Sequence, residues 1–148
     1  MSLAPPILFD RSCLRKQLSR HAMHREAHDF LWREAALRAS QIFECLTPKF
    51  PRMLVMGGQY FLTPASTSHL IRADLFAYPT THLVCDAECL PLAPHSVDAI
   101  VCLLNLAAAN DLPGTLRQCY NALRPDGLFL AILPGGETLR QLRHCMAE

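Results

Sequence analysis

The chain has 148 residues, of which 51% are apolar and 18% charged, enough to bury the core of a single domain. Fourteen basic residues against thirteen acidic ones leave a formal net charge of +1, so the charge balance gives no footprint for nucleic acid or an anionic membrane surface. No stretch approaches the roughly 20 apolar residues that span a bilayer, and seven cysteines scattered singly form no disulfide framework, as in a reducing compartment. A soluble intracellular chain is the expectation. The segment Arg11–Arg38 has the Arg, Ser and Ala of a mitochondrial transit peptide, but Glu26, Asp29 and Glu34 argue against that reading.

In chain order, a helical pattern begins after Phe9 and Asp10; Leu31, Ala35, Ile42, Phe43 and Leu46 recur at helical spacing until Pro48. Arg52 to Gly58 is a short apolar run closed by two glycines, a buried strand entering a turn. His69–Asp74 and Thr81–Asp86 read as the second and third strands, with room for only a stunted connection between them. Val97–Leu104 reads as a buried fourth strand, since its apolar residues run continuously rather than alternate. Asn110–Pro113 offers an N-cap and an early helical proline, and Leu112, Leu116, Cys119 and Leu123 line one face of a helix running to Arg124. Arg124–Gly127 is a turn and Leu128–Leu133 a fifth strand. Strands alternating with helices predict an α/β fold with a mostly parallel, doubly wound sheet. The division expected is a helical segment over residues 1–50 and an α/β core over 51–148, together one compact domain.

Several stretches carry a resemblance: Leu8–Arg11, Phe50–Pro51, Asp86–Pro91, Ser96–Asp98, Asn110–Gly114, Leu123–Gly127 and Gly135–Arg140. Together they resemble the respiratory complex I assembly-factor family and its bacterial relatives among the S-adenosylmethionine-dependent methyltransferases, and more distantly the carrier-protein methyltransferases of biotin synthesis. The likeness covers nearly the whole chain but only the front part of a typical member, so the implied fold is a Rossmann-like methyltransferase sheet truncated on its C-terminal side. In such sheets a nucleotide lies across the carboxyl ends of the strands, where the topology reverses. By resemblance, Gly57 and Gly58 let backbone approach the methionine part of S-adenosylmethionine. Asp74 accepts the ribose hydroxyls, Asp86 the adenine amine with Ala87 beside it, and Leu106 lines the methyl-donor side. No catalytic residue is assigned. A protein substrate or assembly partner follows from the same resemblance, with a cytoplasmic location, or the mitochondrial matrix in a eukaryote.

Departures from that pattern bear on function. Where the family writes L-D-L-G-C-G-x-G, this chain has Leu54-Val-Met-Gly-Gly-Gln-Tyr60; Val55 accepts no hydrogen bond, and Gln59 and Tyr60 put side chains where close backbone approach favours glycine. The family's histidine and tryptophan after the fourth strand are replaced within Leu106-Ala-Ala-Ala-Asn-Asp111. A second reading is therefore a non-catalytic methyltransferase-fold scaffold or assembly module, with homodimerisation as one way to cover an exposed sheet edge. Asp98 reads as structural, closing the start of its strand. His21, His24 and His28 share one helical face without a clear third type of ligand, so they read as a polar face and no metal is expected. Cys85 and Cys89 lack the C-x-x-C spacing of thiol oxidoreductases and read as packing thiols.

Overall fold

The computed structural model describes residues 7–23 and 29–147. Two helices precede the sheet: α1 (Arg11–Met23) and α2 (Phe30–Glu44). The sheet strands are β1 (Arg52–Met56), β2 (His69–Asp74), β3 (Leu83–Val84), β4 (Val97–Leu103) and β5 (Leu123–Ile132). Helix α3 (Leu112–Ala122) joins β4 to β5, and α4 (Arg140–Ala147) follows β5 without burying any residue. All four strand pairings are parallel and the order is β3-β2-β1-β4-β5. The chain thus winds outward from β1 to β3 and returns to the other side of β1 as β4, which puts the reversal between the carboxyl ends of β1 and β4.

Side-chain alternation along β1 explains the two layers. Met53 and Val55 join Ala99, Val101 and Leu103 beneath α2, which contributes Ala35, Ala36, Ala39 and Phe43. Leu54 and Met56 point the other way, with Ile100 and Cys102, against Cys119 and Ala122 of α3. Small residues on α2 let it lie close to the strands, so this N-terminal helix belongs to the main core. Phe43 stacks edge-on against Phe50 and Phe61, with ring centroids 5.6 and 5.7 Å apart. Contacts of that geometry add about 0.5–1.5 kcal/mol beyond their buried area, and they pin the turn after β1 to α2.

The expected helices and strands are present, with three differences. The long N-terminal helical pattern is divided into α1 and α2. The third strand is only two residues long, pairing Leu83 and Val84 with Ala73 and Asp74, and neither connection flanking β2 forms a helix. The run of sequence from Arg124 to Gly127, expected as a turn ahead of the strand, lies inside β5 as a bulge: Leu123 pairs with Val97 and Leu128 with Ala99. Asp126 takes the left-handed φ of 62° there, and Asp98 fixes the base of the sheet by accepting from the Arg52 N–H at 2.8 Å and the Arg124 guanidinium at 3.0 Å. That is the structural role expected of Asp98.

No helix among the described residues is long and apolar enough to cross a membrane. No cluster of three or more metal-ligating side chains occurs among them either; His24 and His28 lie outside the described residues.

Candidate functional site

At the carboxyl rim of the sheet lies a cavity of about 230 Å³. Its floor follows the strand order. Asp86 and Ala87 sit beyond β3, Asp74 ends β2, Met56 and Gly57 end β1, and Leu103 to Asn105 end β4. Above them α1 contributes Arg11, Leu14 and Leu18, and the start of α2 contributes Asp29 and Trp32. The walls are mainly apolar with a few polar groups, the composition of a small-molecule site.

Four of the six site residues expected from sequence meet in this cavity: Gly57, Asp74, Asp86 and Ala87. Gly57 has φ 72°, and a Cβ on it would fall 2.3 Å from the carbonyl oxygen of Leu103. Glycine there is demanded by the approach of β1 to β4; its N–H is already donated to Ala73 O at 3.3 Å. Gly58 does not line the cavity. A Cβ on it would meet Val55 Cγ1 at 1.9 Å, so its missing side chain accommodates the very valine that stands in place of the family's acid. Leu106 does not line the cavity either. It is buried in a short 3₁₀ turn, Asn105–Ala108, and packs into the core beneath α3, because the chain leaves β4 through Leu104 at φ 65° and turns Leu106 inward. Leu104, Asn105, Ala107 and Ala108 form the wall instead.

The turn after β1 differs from a glycine-rich loop feeding a helix. Phe61 N–H returns to Gly58 O at 3.2 Å, and Arg72 from β2 donates to Gly58 O at 3.4 Å and Phe61 O at 3.2 Å. This closed turn projects Gln59 and Tyr60 into the cavity. The Tyr60 hydroxyl donates to Oδ2 of Asp29, and the Arg33 guanidinium lies 4.5 Å from the centre of the Tyr60 ring.

An N-terminal clasp crosses Asp86. Arg11 Nε lies 3.0 Å from Asp86 Oδ2, its Nη2 lies 2.6 Å from Glu88 Oε1, and its Nη1 donates to Ala108 O at 3.0 Å. Asp86 Oδ1 accepts from the Glu88 N–H at 3.0 Å. Glu88 also accepts from the N–H groups of Asn110 and Asp111, while the Asn110 side chain accepts from the N–H of Leu8 and of Phe9, both at 2.7 Å. Burial alone would raise the Glu88 carboxyl, but hydrogen bonds from Arg11, Asp111 and Asn110 outweigh it and hold the group below the ordinary glutamate value. Cys85, also on the wall, is pushed up by burial and then by the neighbouring Asp86 and Asp74, so it stays a thiol at neutral pH.

Residues 52–131, from the first residue of β1 to near the end of β5, match the model of the methyltransferase domain family. The chain belongs to this family. Within it, the domain is 31% identical to the mitochondrial arginine-hydroxylase NDUFAF5 of Danio rerio, over 92% of this chain and 48% of that protein. It is 29% identical to the malonyl-[acyl-carrier protein] O-methyltransferase of Xylella fastidiosa, over 95% of this chain and 55% of the relative. The chain therefore spans about half the length of the curated relatives it matches. A solved protein of Methanococcus maripaludis, assigned to the S-adenosyl-L-methionine-dependent methyltransferases, superposes with a TM-score of 0.54 at 15% identity, over 99% of this chain and 74% of its own. That likeness establishes the Rossmann-like fold.

Asp74 ends β2 as the sequence indicates, whereas Asp86 lies two residues beyond the short β3; Tyr60 enters the cavity from the turn where its side chain is expected to intrude, and Arg11, Asp29 and Trp32 are cavity residues that the sequence did not reveal. Arg11 belongs to Leu8–Arg11, one of the stretches that carry the resemblance, yet nothing in its spacing shows that it reaches Asp86.

Proposed function

We propose that this methyltransferase-like domain binds S-adenosylmethionine in the rim cavity and presents it to a protein side chain. What carries the reading is the meeting of Asp74, Asp86 and Gly57 in one cavity at the sheet's reversal point. Two carboxylates on the same rim, Asp74 ending β2 and Asp86 just beyond β3, suit the ribose hydroxyls and the adenine amine, with Ala87 on the cavity lining next to Asp86. The sulfonium supplies the electrophilic methyl when bound; the protein's part is to orient it and keep water away, which the apolar wall from Leu103 and Leu104 serves. A protein acceptor, in respiratory complex assembly, is supported by the resemblance to the complex I assembly-factor family and by a relative named for acting on arginine. A matrix location fits a mitochondrial relative. Helix α1 acts in this reading as a cover over the cavity, while α2 packs into the core of the sheet.

A second reading, a methyltransferase-fold scaffold without activity, draws on the clasp: both oxygens of Asp86 are already engaged, and alanines stand at 107 and 108 on the cavity wall. Calorimetric titration with S-adenosylmethionine, with a thermal-shift measurement alongside, separates the two. Saturable heat and a raised melting temperature support the cofactor site. Neither heat nor shift at millimolar ligand overturns it in favour of the scaffold.

A further inference from the structure

Asp29 is 2% exposed, lines the cavity, and is the residue preceding α2. Aspartate there ordinarily caps its helix, accepting from an N–H of the first turn. Asp29 makes no such bond; only its backbone carbonyl serves the helix, accepting from Arg33 N–H at 3.0 Å. Its carboxylate is turned instead to the Tyr60 hydroxyl at the turn after β1. This orientation leaves the Asp29 side chain on the cavity wall rather than capping its own helix.

Two further acceptors border the same turn. Among the described residues, Gln59 Oε1 and Asn105 Oδ1 are buried without a hydrogen-bonding partner, and both residues line the cavity. Asn105 stands beside Gly57, its Cβ 3.8 Å from where a Gly57 Cβ would lie. Along the rim this end belongs to β1 and β4, whereas Asp74 and Asp86 belong to β2 and β3. An ammonium group presents three N–H donors and a positive charge, matching a carboxylate and two orphaned amide oxygens.

We propose that Asp29, with Gln59 and Asn105, forms the site for the ammonium-bearing tail of the nucleoside ligand, supplying from the start of α2 the carboxylate that Val55 cannot provide from β1. The assignment rests on the cofactor reading above and adds to it which residues recognise the ligand's amino-acid end. It makes the cavity selective for nucleosides with an ammonium-bearing aminoacyl tail over tailless ones.

The test is calorimetry on the full chain and its Asp29→Asn variant with three probes: S-adenosylmethionine, S-adenosylhomocysteine and 5′-methylthioadenosine, which lacks the aminoacyl group. Asparagine keeps the shape and still accepts from Tyr60. The expected result is a loss of about tenfold or more in affinity for the two tailed probes, with 5′-methylthioadenosine bound within about twofold of the wild type. Equal weakening of all three marks Asp29 as structural and overturns the proposal, as does no weakening of any. Wild-type protein that binds 5′-methylthioadenosine but gains nothing from the tail overturns the ammonium site while leaving the cofactor pocket standing. Binding of none of the three by the wild type overturns both.

Discussion

Replacing Arg11 by alanine should release α1 from the cavity while leaving the sheet intact. No residue of α1 whose burial is described is fully buried; Leu14 and Leu18 are half-covered, and its firmest polar attachment is the Arg11 guanidinium on Asp86, Glu88 and Ala108 O. Hydrogen bonds to charged groups contribute about 1.5–3 kcal/mol when sheltered and exposed ion pairs about 0.2–1 kcal/mol. The side chains of Arg11 and Asp86 are each 26% exposed, so the contacts rank between those limits. A total near 2 kcal/mol follows after discounting for solvent, equivalent to roughly 30-fold in an opening equilibrium. Amide hydrogen exchange reads it directly: in Arg11→Ala, amides of residues 11–23 should lose about that factor of protection, and those of β1 and β4 should change little. Unchanged protection in α1 would refute the clasp as its anchor. Equal loss across β1 and β4 would show that the arginine supports the global fold instead.

Gly57→Ala should destabilise the protein by about 3 kcal/mol, since a left-handed φ costs an alanine roughly 1–2 kcal/mol and the Cβ must also push back the end of β4. Urea unfolding should show a lower midpoint at an unchanged slope, and a loss below about 1 kcal/mol would contradict the strain argument. The clasp should also be acid-sensitive. Because the folded Glu88 sits below its ordinary value of 4.5, its contribution is complete above that pH and disappears as pH falls through the lower folded value. Fluorescence of Trp32, the single tryptophan and a cavity residue, should therefore be flat above about pH 5 and change below it. Glu88→Gln should abolish that step; a step that survives the substitution locates the titrating group elsewhere.

The elements that sequence located well are those whose signals are local. Ala99–Leu103 is apolar without interruption because both faces are covered, and Asp111 announces the start of α3 by a cap that exists in the structure, its carboxylate accepting from Gly114 N–H at 2.9 Å. His69–Asp74 was bounded correctly because its apolar run is short and sharply flanked. The third strand was overextended because pairing decides a strand's length, and only Ala73 and Asp74 are there to pair with it. Leu106 was placed at the site because its position after β4 was legible, whereas its inward direction depends on the backbone reversal at Leu104.

Sequence by itself determined the α/β class, the alternation of strands and helices, and the aspartate that ends β2, since periodicity, caps and turn residues act within a few positions along the chain. Only the tertiary structure decided that Arg11 covers Asp86, that Val55 fills the space beside Gly58, and that Asp29 turns from its own helix to Tyr60. Arg11 with Asp86 and Asp29 with Tyr60 join residues far apart in the chain, while Val55 meets Gly58 only through the way the turn after β1 closes; which charges meet in a cavity is fixed by how the layers pack.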